Sequence, residues 1–136
     1  LGFGDNTKAA LITRGIAEMT RLGVNMGGYQ ETFSGLAGMG DLIVTCASQH
    51  SRNRKAGYLI GKGYTMQAAM DEVKMVVEGV HSAKAALMLA EKYYVRLPLI
   101  EQVNAVLFDG NAATEAVKDL MVRNGKTENP LLPWEK

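Results

Sequence analysis

The stretch from residues 40 to 55, GDLIVTCASQHSRNRK, decides the fold class of this chain. Within it, the run from Leu42 to Val44 has the composition of a β-strand. Almost nothing else in the chain looks like a strand partner for it, whereas apolar residues elsewhere recur at the helical interval of three or four. The sequence therefore predicts an all-α domain in which this run is helical.

The end of the same stretch concentrates groups that suit an anion. Ser51, Arg52 and Asn53 place a hydroxyl, a guanidinium and an amide side by side, just ahead of an alanine-rich amphipathic segment. Ser or Asn at such a point indicates a helix N-terminus, where free backbone N–H groups and the helix dipole favour anions. The planar fork of an arginine also matches the geometry of phosphate. This pattern predicts a small phosphorylated or carboxylated ligand.

Two further residues belong to this predicted site. Asp41 is the carboxylate that opens the stretch, and we expect it near the polar end of the ligand. Thr45 lies one turn from Asp41 if the run is helical. The alternative is a solvated basic patch, because cations at the start of a helix oppose its dipole.

Composition narrows the function classes. The chain has 136 residues, with 15 Lys and Arg against 14 Asp and Glu and a net charge of +1. General binding to nucleic acid or to a membrane surface needs a field of one sign, which this balance does not supply. A lone cysteine, Cys46, excludes an intrachain disulfide and indicates a reducing, cytoplasmic setting. We also expect no membrane span, since no apolar run approaches about 20 residues.

The periodicity predicts seven or eight helices. Asp5 or Asn6 is the expected cap of the first helix, and Gly15 within it indicates close packing against the backbone. We expect residues 1–124 to form one helical domain and residues 125–136 to form a tail. The first predicted helix ends near residue 23. Besides the helical run in the opening stretch, the other predicted helices cover 30–37, 53–61, 66–74, 81–94, 99–108 and 112–123. Thr65 is the expected cap of the helix at 66–74, residues 75–79 are expected to form an apolar hinge, and Pro98 favours the first turn of the helix at 99–108.

The remaining chemically active side chains give weaker signals. His50 could be a proton shuttle, but a polar loop residue is the simpler interpretation. Cys46, in an apolar run, has the character of a small buried hydrophobic residue rather than a nucleophile. The two histidines have no acid or thiol at ligand spacing, so no metal site is expected. Glu78, in the apolar segment 75–79, is the acid whose surroundings suggest a bound polar group.

Four colinear motifs resemble a known family. They are GDNTKAAL at residues 4–11, GLAGMGDLIVTC at 35–46, SRNR at 51–54 and VVEG at 76–79. Together they resemble the C-terminal domain of bacterial NAD(P)-dependent glycerol-3-phosphate dehydrogenase. The resemblance implies an all-α substrate domain like that of 6-phosphogluconate dehydrogenase. The implied reaction is reversible hydride transfer between NAD(P)H and dihydroxyacetone phosphate, which gives sn-glycerol 3-phosphate, a glycerophospholipid precursor.

The resemblance also implies roles for residues that match the motifs. Asp41 would bind substrate and orient the catalytic lysine, with Thr45 supporting the same network. The substrate would also be held by Ser51, Arg52 and Asn53. The cofactor would be contacted by Arg52, Val76 and Glu78.

Further parts of the enzyme are implied outside this sequence. The family's proton-transferring lysine would lie upstream of Leu1, and an N-terminal Rossmann domain would hold most of the NAD or NADP. We therefore expect the chain to be part of a longer protein, to lack activity alone and to associate with that domain, as a possible homodimer.

Two other function classes stay open at this point. One is a standalone helical module that binds an anion or a protein without catalysis. The other is a small nucleic-acid binder that uses Arg52, Arg54 and Lys55, although no aromatic residues are interleaved with these cations. A dinucleotide fingerprint in a longer reading frame would distinguish the dehydrogenase from both.

Overall fold

The computed structural model describes residues 1–122 and confirms the predicted all-α fold. No β-strand occurs within these residues, and the run from Leu42 to Val44 is helical. The predicted tail and the end of the last predicted helix lie outside the described residues. Within residues 1–122, a π-helical turn, Leu36–Gly40, precedes the third of eight α-helices, which are α1 (Asp5–Asn25), α2 (Gln30–Ser34), α3 (Asp41–Ala47), α4 (Arg52–Gly61), α5 (Met66–Val73), α6 (Glu78–Lys92), α7 (Pro98–Phe108) and α8 (Ala113–Val122).

The predicted cap of α1 is wrong. Gly4 takes the extended cap position, and Asp5 is already the first helical residue. An acid in the first turn still interacts favourably with the helix dipole, which explains why the local sequence resembled a cap. Leu42 and Leu99 lie against the backbone at Gly15, as predicted, but a Cβ there would be 3.6 and 3.7 Å from them, an ordinary van der Waals distance that does not require glycine.

The helix predicted at 30–37 is confirmed at its start, but its predicted end is wrong, because α2 ends at Ser34 and the wider π-helical turn follows. Gly38 in this turn is buried directly against the backbone of Phe33, where a Cβ would collide. The ring of Phe33 in turn lies against Gly23 of α1. The glycines therefore permit the close backbone approach that carries the chain into α3.

Two N-caps explain the starts of α4 and α5. The Ser51 hydroxyl accepts a hydrogen bond from the backbone N–H of Arg54 at 3.2 Å, and the Thr65 hydroxyl accepts one from that of Ala68 at 3.2 Å. The predicted cap at Thr65 is confirmed, whereas α4 begins one residue earlier than predicted.

The start of α6 differs most from the prediction. The segment 75–79 is not a hinge ahead of a helix at 81, because α6 begins at Glu78. The cap residue, Val77, is apolar and offers no side-chain acceptor. The N–H of Gly79 instead donates to the side chain of Asn53 in α4, at 3.0 Å. A cap supplied from 26 residues away leaves no local sequence signal.

The helices pack around two apolar clusters. One joins α4, α5 and α6 through Ala56, Val73, Val77 and Val80. The other, Ala90, Val95 and Leu97, packs against α1 through Leu22 and against α7 through Ile100.

A buried acid fixes α7 against α1. The Glu18 carboxylate accepts hydrogen bonds from the backbone N–H groups of Leu99, at 2.7 Å, and Ile100, at 3.3 Å. These belong to the first turn of α7, whose first residue is Pro98. Burial raises the pKa of Glu18, and the two N–H donors oppose that rise. The core therefore positions both α4 and α7 around the site described next.

None of the described helices is both long and apolar enough to cross a bilayer.

Candidate functional site

A polar cavity of about 330 Å³ opens where α3 ends and where α4 and α6 begin. Its size is at the lower end of about 300–1,000 Å³ that is typical of small-molecule sites. Val44 and Thr45 of α3 form one side. Most of the remaining lining is polar and comprises Ser48, His50, Ser51, Arg52, Asn53 and Glu78.

Arg52 is the main cation at this cavity. It is the first residue of α4, at a helix N-terminus whose backbone N–H groups and dipole favour anions. The Arg52 Nη2 atom lies 3.7 Å from the Glu78 carboxylate, and the two side chains are 41% and 73% exposed. An ion pair this exposed contributes little to stability, which leaves the guanidinium available to an anionic ligand.

Asn53, which lines the same cavity, contacts the start of α6. Its Oδ1 accepts from the N–H of Gly79 at 3.0 Å, so its Nδ2 keeps its donors. The Ser51 hydroxyl accepts from the N–H of Arg54 and retains one donor. Three consecutive residues thus provide donors at one cavity, as an anion requires.

Of the other predicted site residues, Thr45 lies at the polar cavity, whereas Asp41 and Val76 do not line it. Thr45 lines the polar cavity with Arg52. Asp41, one turn before Thr45, is exposed at the start of α3 and is not part of the lining of this cavity. Val76 is 59% exposed beside the buried Val77, outside the same lining. The ligand contacts expected of Asp41 and Val76 stay predictions.

A second, apolar cavity of about 550 Å³ adjoins the polar one and shares Thr45, Ser51 and Asn53 with it. Its walls include Leu42 of α3 and Leu99 of α7, together with Leu11, Ile12 and Val117. A polar recess next to an apolar one can take a ligand with an anionic end and a less polar body.

Cys46 and Lys8 also line the apolar cavity. Burial raises the pKa of the Cys46 thiol, and the Lys8 ammonium opposes this only in part. The thiol therefore stays protonated near neutral pH and is a poor nucleophile, in agreement with the sequence interpretation.

Sequence reasoning gave too little weight to the connection between α3 and α4. His50 lines the polar cavity, and its backbone N–H donates to the Ser48 hydroxyl at 3.1 Å. A serine two residues before a histidine is a common turn pattern and carries no specific signal of a ligand site. Proximity to Arg52 in the sequence was the available clue.

These features define an all-helical domain with a recess lined by hydrogen-bond donors at two helix starts. It has donors for a phosphate but, within residues 1–122, no cluster of three or more acid, thiol or imidazole groups that could hold a metal ion.

Comparison with known proteins identifies the family. Residues 1–118 match the family model described as the NAD-dependent glycerol-3-phosphate dehydrogenase C-terminus, and the chain belongs to this family. It is 66% identical to the glycerol-3-phosphate dehydrogenase (NAD(P)+) of Agathobacter rectalis over 99% of its own length, and 66% identical to that of Fusobacterium nucleatum over 94%. It covers 40% and 38% of those two proteins.

A solved structure shares the fold. The crystal structure of glycerol-3-phosphate dehydrogenase from Coxiella burnetii superimposes with a TM-score of 0.86 at 41% sequence identity, over 88% of this chain and 37% of that one. The resemblance found from the four sequence motifs is therefore confirmed at the level of family and fold.

Proposed function

We propose that this chain is the substrate domain of an enzyme that reversibly transfers a hydride between NAD(P)H and dihydroxyacetone phosphate, to give sn-glycerol 3-phosphate. The observation that carries the proposal is the Arg52 guanidinium at the polar cavity, with the donors of Ser51 and Asn53 beside it. Family membership supports it independently. The product would serve as a glycerophospholipid precursor.

Arg52 is the main phosphate ligand in this proposal. A guanidinium donates two parallel hydrogen bonds to a phosphate, and such charge-assisted bonds are about twice as strong as neutral ones. The starts of α4 and α6 both meet at the cavity, so their dipoles add positive potential there. The Asn53 amide and the Ser51 hydroxyl complete the donor set.

Asp41 and Thr45 act at the reacting end of the substrate. Thr45 lines both cavities, so it lies between the phosphate recess and the apolar recess. Asp41, one turn earlier on α3, orients the catalytic lysine that the family places upstream of Leu1. The proton transfer itself belongs to that lysine, tuned by burial and neighbouring charge.

The residues at the polar cavity fit part of a nicotinamide cofactor. The Glu78 carboxylate is largely exposed and can accept from ribose or amide groups, while the partly exposed Arg52 guanidinium can donate to a phosphate. Val76 offers an exposed apolar contact next to them. When bound, NADH or NADPH would supply the hydride for the reduction of dihydroxyacetone phosphate, and the N-terminal Rossmann domain would hold most of the cofactor. Arg52 would thus contact both substrate and cofactor.

The expected partners follow from the same proposal. They are the small phosphorylated substrate, the N-terminal Rossmann domain of the same protein and a second copy in a homodimer. A cytoplasmic location is supported by the single thiol, Cys46, and by the NAD(P) chemistry of the relatives.

The test is Arg52→Ala in the full-length protein. Loss of a charge-assisted contact costs about 1.5–3 kcal/mol, so the KM for dihydroxyacetone phosphate should rise about 10- to 100-fold. Steady-state kinetics at saturating NAD(P)H measures it.

Lys55→Ala is the matched control, since Lys55 is an exposed cation on the same helix and lines neither described cavity. It should leave the KM unchanged. An equal KM in Arg52→Ala and Lys55→Ala would show that Arg52 does not bind the substrate.

A further inference from the structure

The contact between Asn53 and Gly79 joins the two helix starts at the polar cavity. The Oδ1 atom of Asn53 accepts from the N–H of Gly79 at 3.0 Å. The preceding residues of the same helices, Arg52 and Glu78, form the ion pair. Two consecutive residues of α4 therefore contact two consecutive residues of α6.

This hydrogen bond fixes the orientation of the Asn53 amide. Only the oxygen of the Asn53 amide can accept a hydrogen bond from the backbone N–H of Gly79. If the amide were flipped, its NH2 group would face that N–H, and two donors would meet. With Oδ1 held by Gly79, the Nδ2 donors are left for a ligand at the cavities that Asn53 lines. An anion needs a donor at that position rather than an acceptor.

Gly79 also makes room for the amide. A Cβ on Gly79 would lie 3.0 Å from Oδ1, 3.1 Å from Cγ and 3.4 Å from Nδ2 of Asn53. The backbone of Gly79 has no positive φ, so its helical conformation does not itself require glycine. Glycine also destabilises a helix relative to alanine. The space that Asn53 occupies is therefore the reason for glycine at this position.

We propose that Gly79 is a positioning residue for the substrate site: its N–H and its missing side chain hold the Asn53 amide with Nδ2 presented to the substrate phosphate. The proposal rests on the proposed function and adds a residue that touches no ligand itself. Because Gly79 follows Glu78, the same contact also fixes the start of α6 against Arg52.

The experiment is Gly79→Ala in the full-length protein. The added Cβ displaces the amide, so the KM for dihydroxyacetone phosphate should rise about tenfold, while kcat and the KM for NAD(P)H change less than twofold. The melting temperature should change little, because the helix preference of alanine opposes the loss of the Asn53 cap. A purely structural role for Gly79 would instead lower the melting temperature and leave the KM unchanged.

Gly57→Ala is the control. Gly57 is an exposed helical glycine of α4, and a Cβ there would meet nothing within 4 Å. This variant should leave the KM unchanged. An unchanged KM in Gly79→Ala as well would overturn the proposal.

A double-mutant cycle isolates the coupling. If Gly79 acts through Asn53, Asn53→Ala should raise the KM strongly in the natural protein and less than twofold in the Gly79→Ala background. Independent, multiplying effects would contradict the proposal.

A second variant covers the case in which Gly79→Ala fails to fold. Asn53→Asp keeps the acceptor for Gly79 and loses the Nδ2 donor, so it should retain the melting temperature and raise the KM at least as much as Asn53→Ala. Substrate binding as tight as in the natural protein would show that the donor is not used. Absence of NAD(P)H-dependent reduction of dihydroxyacetone phosphate by the natural full-length protein would refute the proposed function itself, whatever Gly79 does.

Discussion

The first turns of α6 and α7 are both capped by a side chain from another helix, but the two capping residues serve different purposes. Both helices follow an apolar N-cap residue, Val77 or Leu97, and each takes its capping acceptor from a distant helix. For α7 the acceptor is the Glu18 carboxylate, and for α6 it is the Asn53 amide. Glu18 is 7% exposed and lies in the interior, whereas Asn53 lies at the cavity surface.

The difference shows how a fold separates stability from binding. A buried carboxylate uses its acceptors on two N–H groups of α7 and has no donor for a ligand. An amide accepts with one atom and donates with the other, so Asn53 can hold α6 and still contact a substrate. We therefore expect Glu18 to affect stability alone and the Asn53 region to affect substrate binding.

The largest stability effect is expected from Glu18→Ala. Two backbone N–H groups of α7 would lose their acceptor, and unsatisfied buried donors cost about 1–3 kcal/mol each, so the free energy of unfolding should fall by about 3 kcal/mol. Denaturant unfolding of the protein measures it. The exposed Glu72 of α5 supplies the control, as Glu72→Ala should stay within about 0.5 kcal/mol of the natural protein.

If Glu18→Ala and Glu72→Ala lowered the free energy of unfolding equally, the buried cap of α7 would contribute nothing to stability. A change in the KM for dihydroxyacetone phosphate in Glu18→Ala, at a temperature where the protein is folded, would contradict a role for Glu18 in stability alone.

A smaller loss of stability is expected at the two local N-caps, Ser51 and Thr65. Ser51→Ala and Thr65→Ala each remove an N-cap hydroxyl and should each lower the free energy of unfolding by about 1 kcal/mol. Only Ser51 lines the polar cavity. The KM for dihydroxyacetone phosphate should therefore rise in Ser51→Ala and stay constant in Thr65→Ala. A matching KM in both would assign Ser51 to capping alone.

The sequence predicted those elements whose causes are local. Ser51 and Thr65 were readable because each caps a backbone N–H three residues further along the chain. Pro98 marked the start of α7 for the same reason, since its ring suits the first helical position.

Elements held by distant partners were missed. The start of α6 depends on Asn53, 26 residues away in the sequence. The π-helical turn was missed for another reason: Gly38 and Phe33 are near in the sequence, but their close backbone packing follows no periodic apolar pattern. In the site, the cluster of Ser51, Arg52 and Asn53 was found from residue chemistry. Its pairing with Gly79 could not be, because it joins residues that only the folded helices bring together.

The proposed function requires that the cavity beside Arg52 binds the substrate phosphate. A crystal structure of the full-length protein with glycerol 3-phosphate tests this most directly. We expect the phosphate within hydrogen-bonding distance of the Arg52 guanidinium and of Nδ2 of Asn53, with Oδ1 of Asn53 still accepting from the N–H of Gly79. A phosphate bound elsewhere, with Arg52 paired only to Glu78, would contradict it.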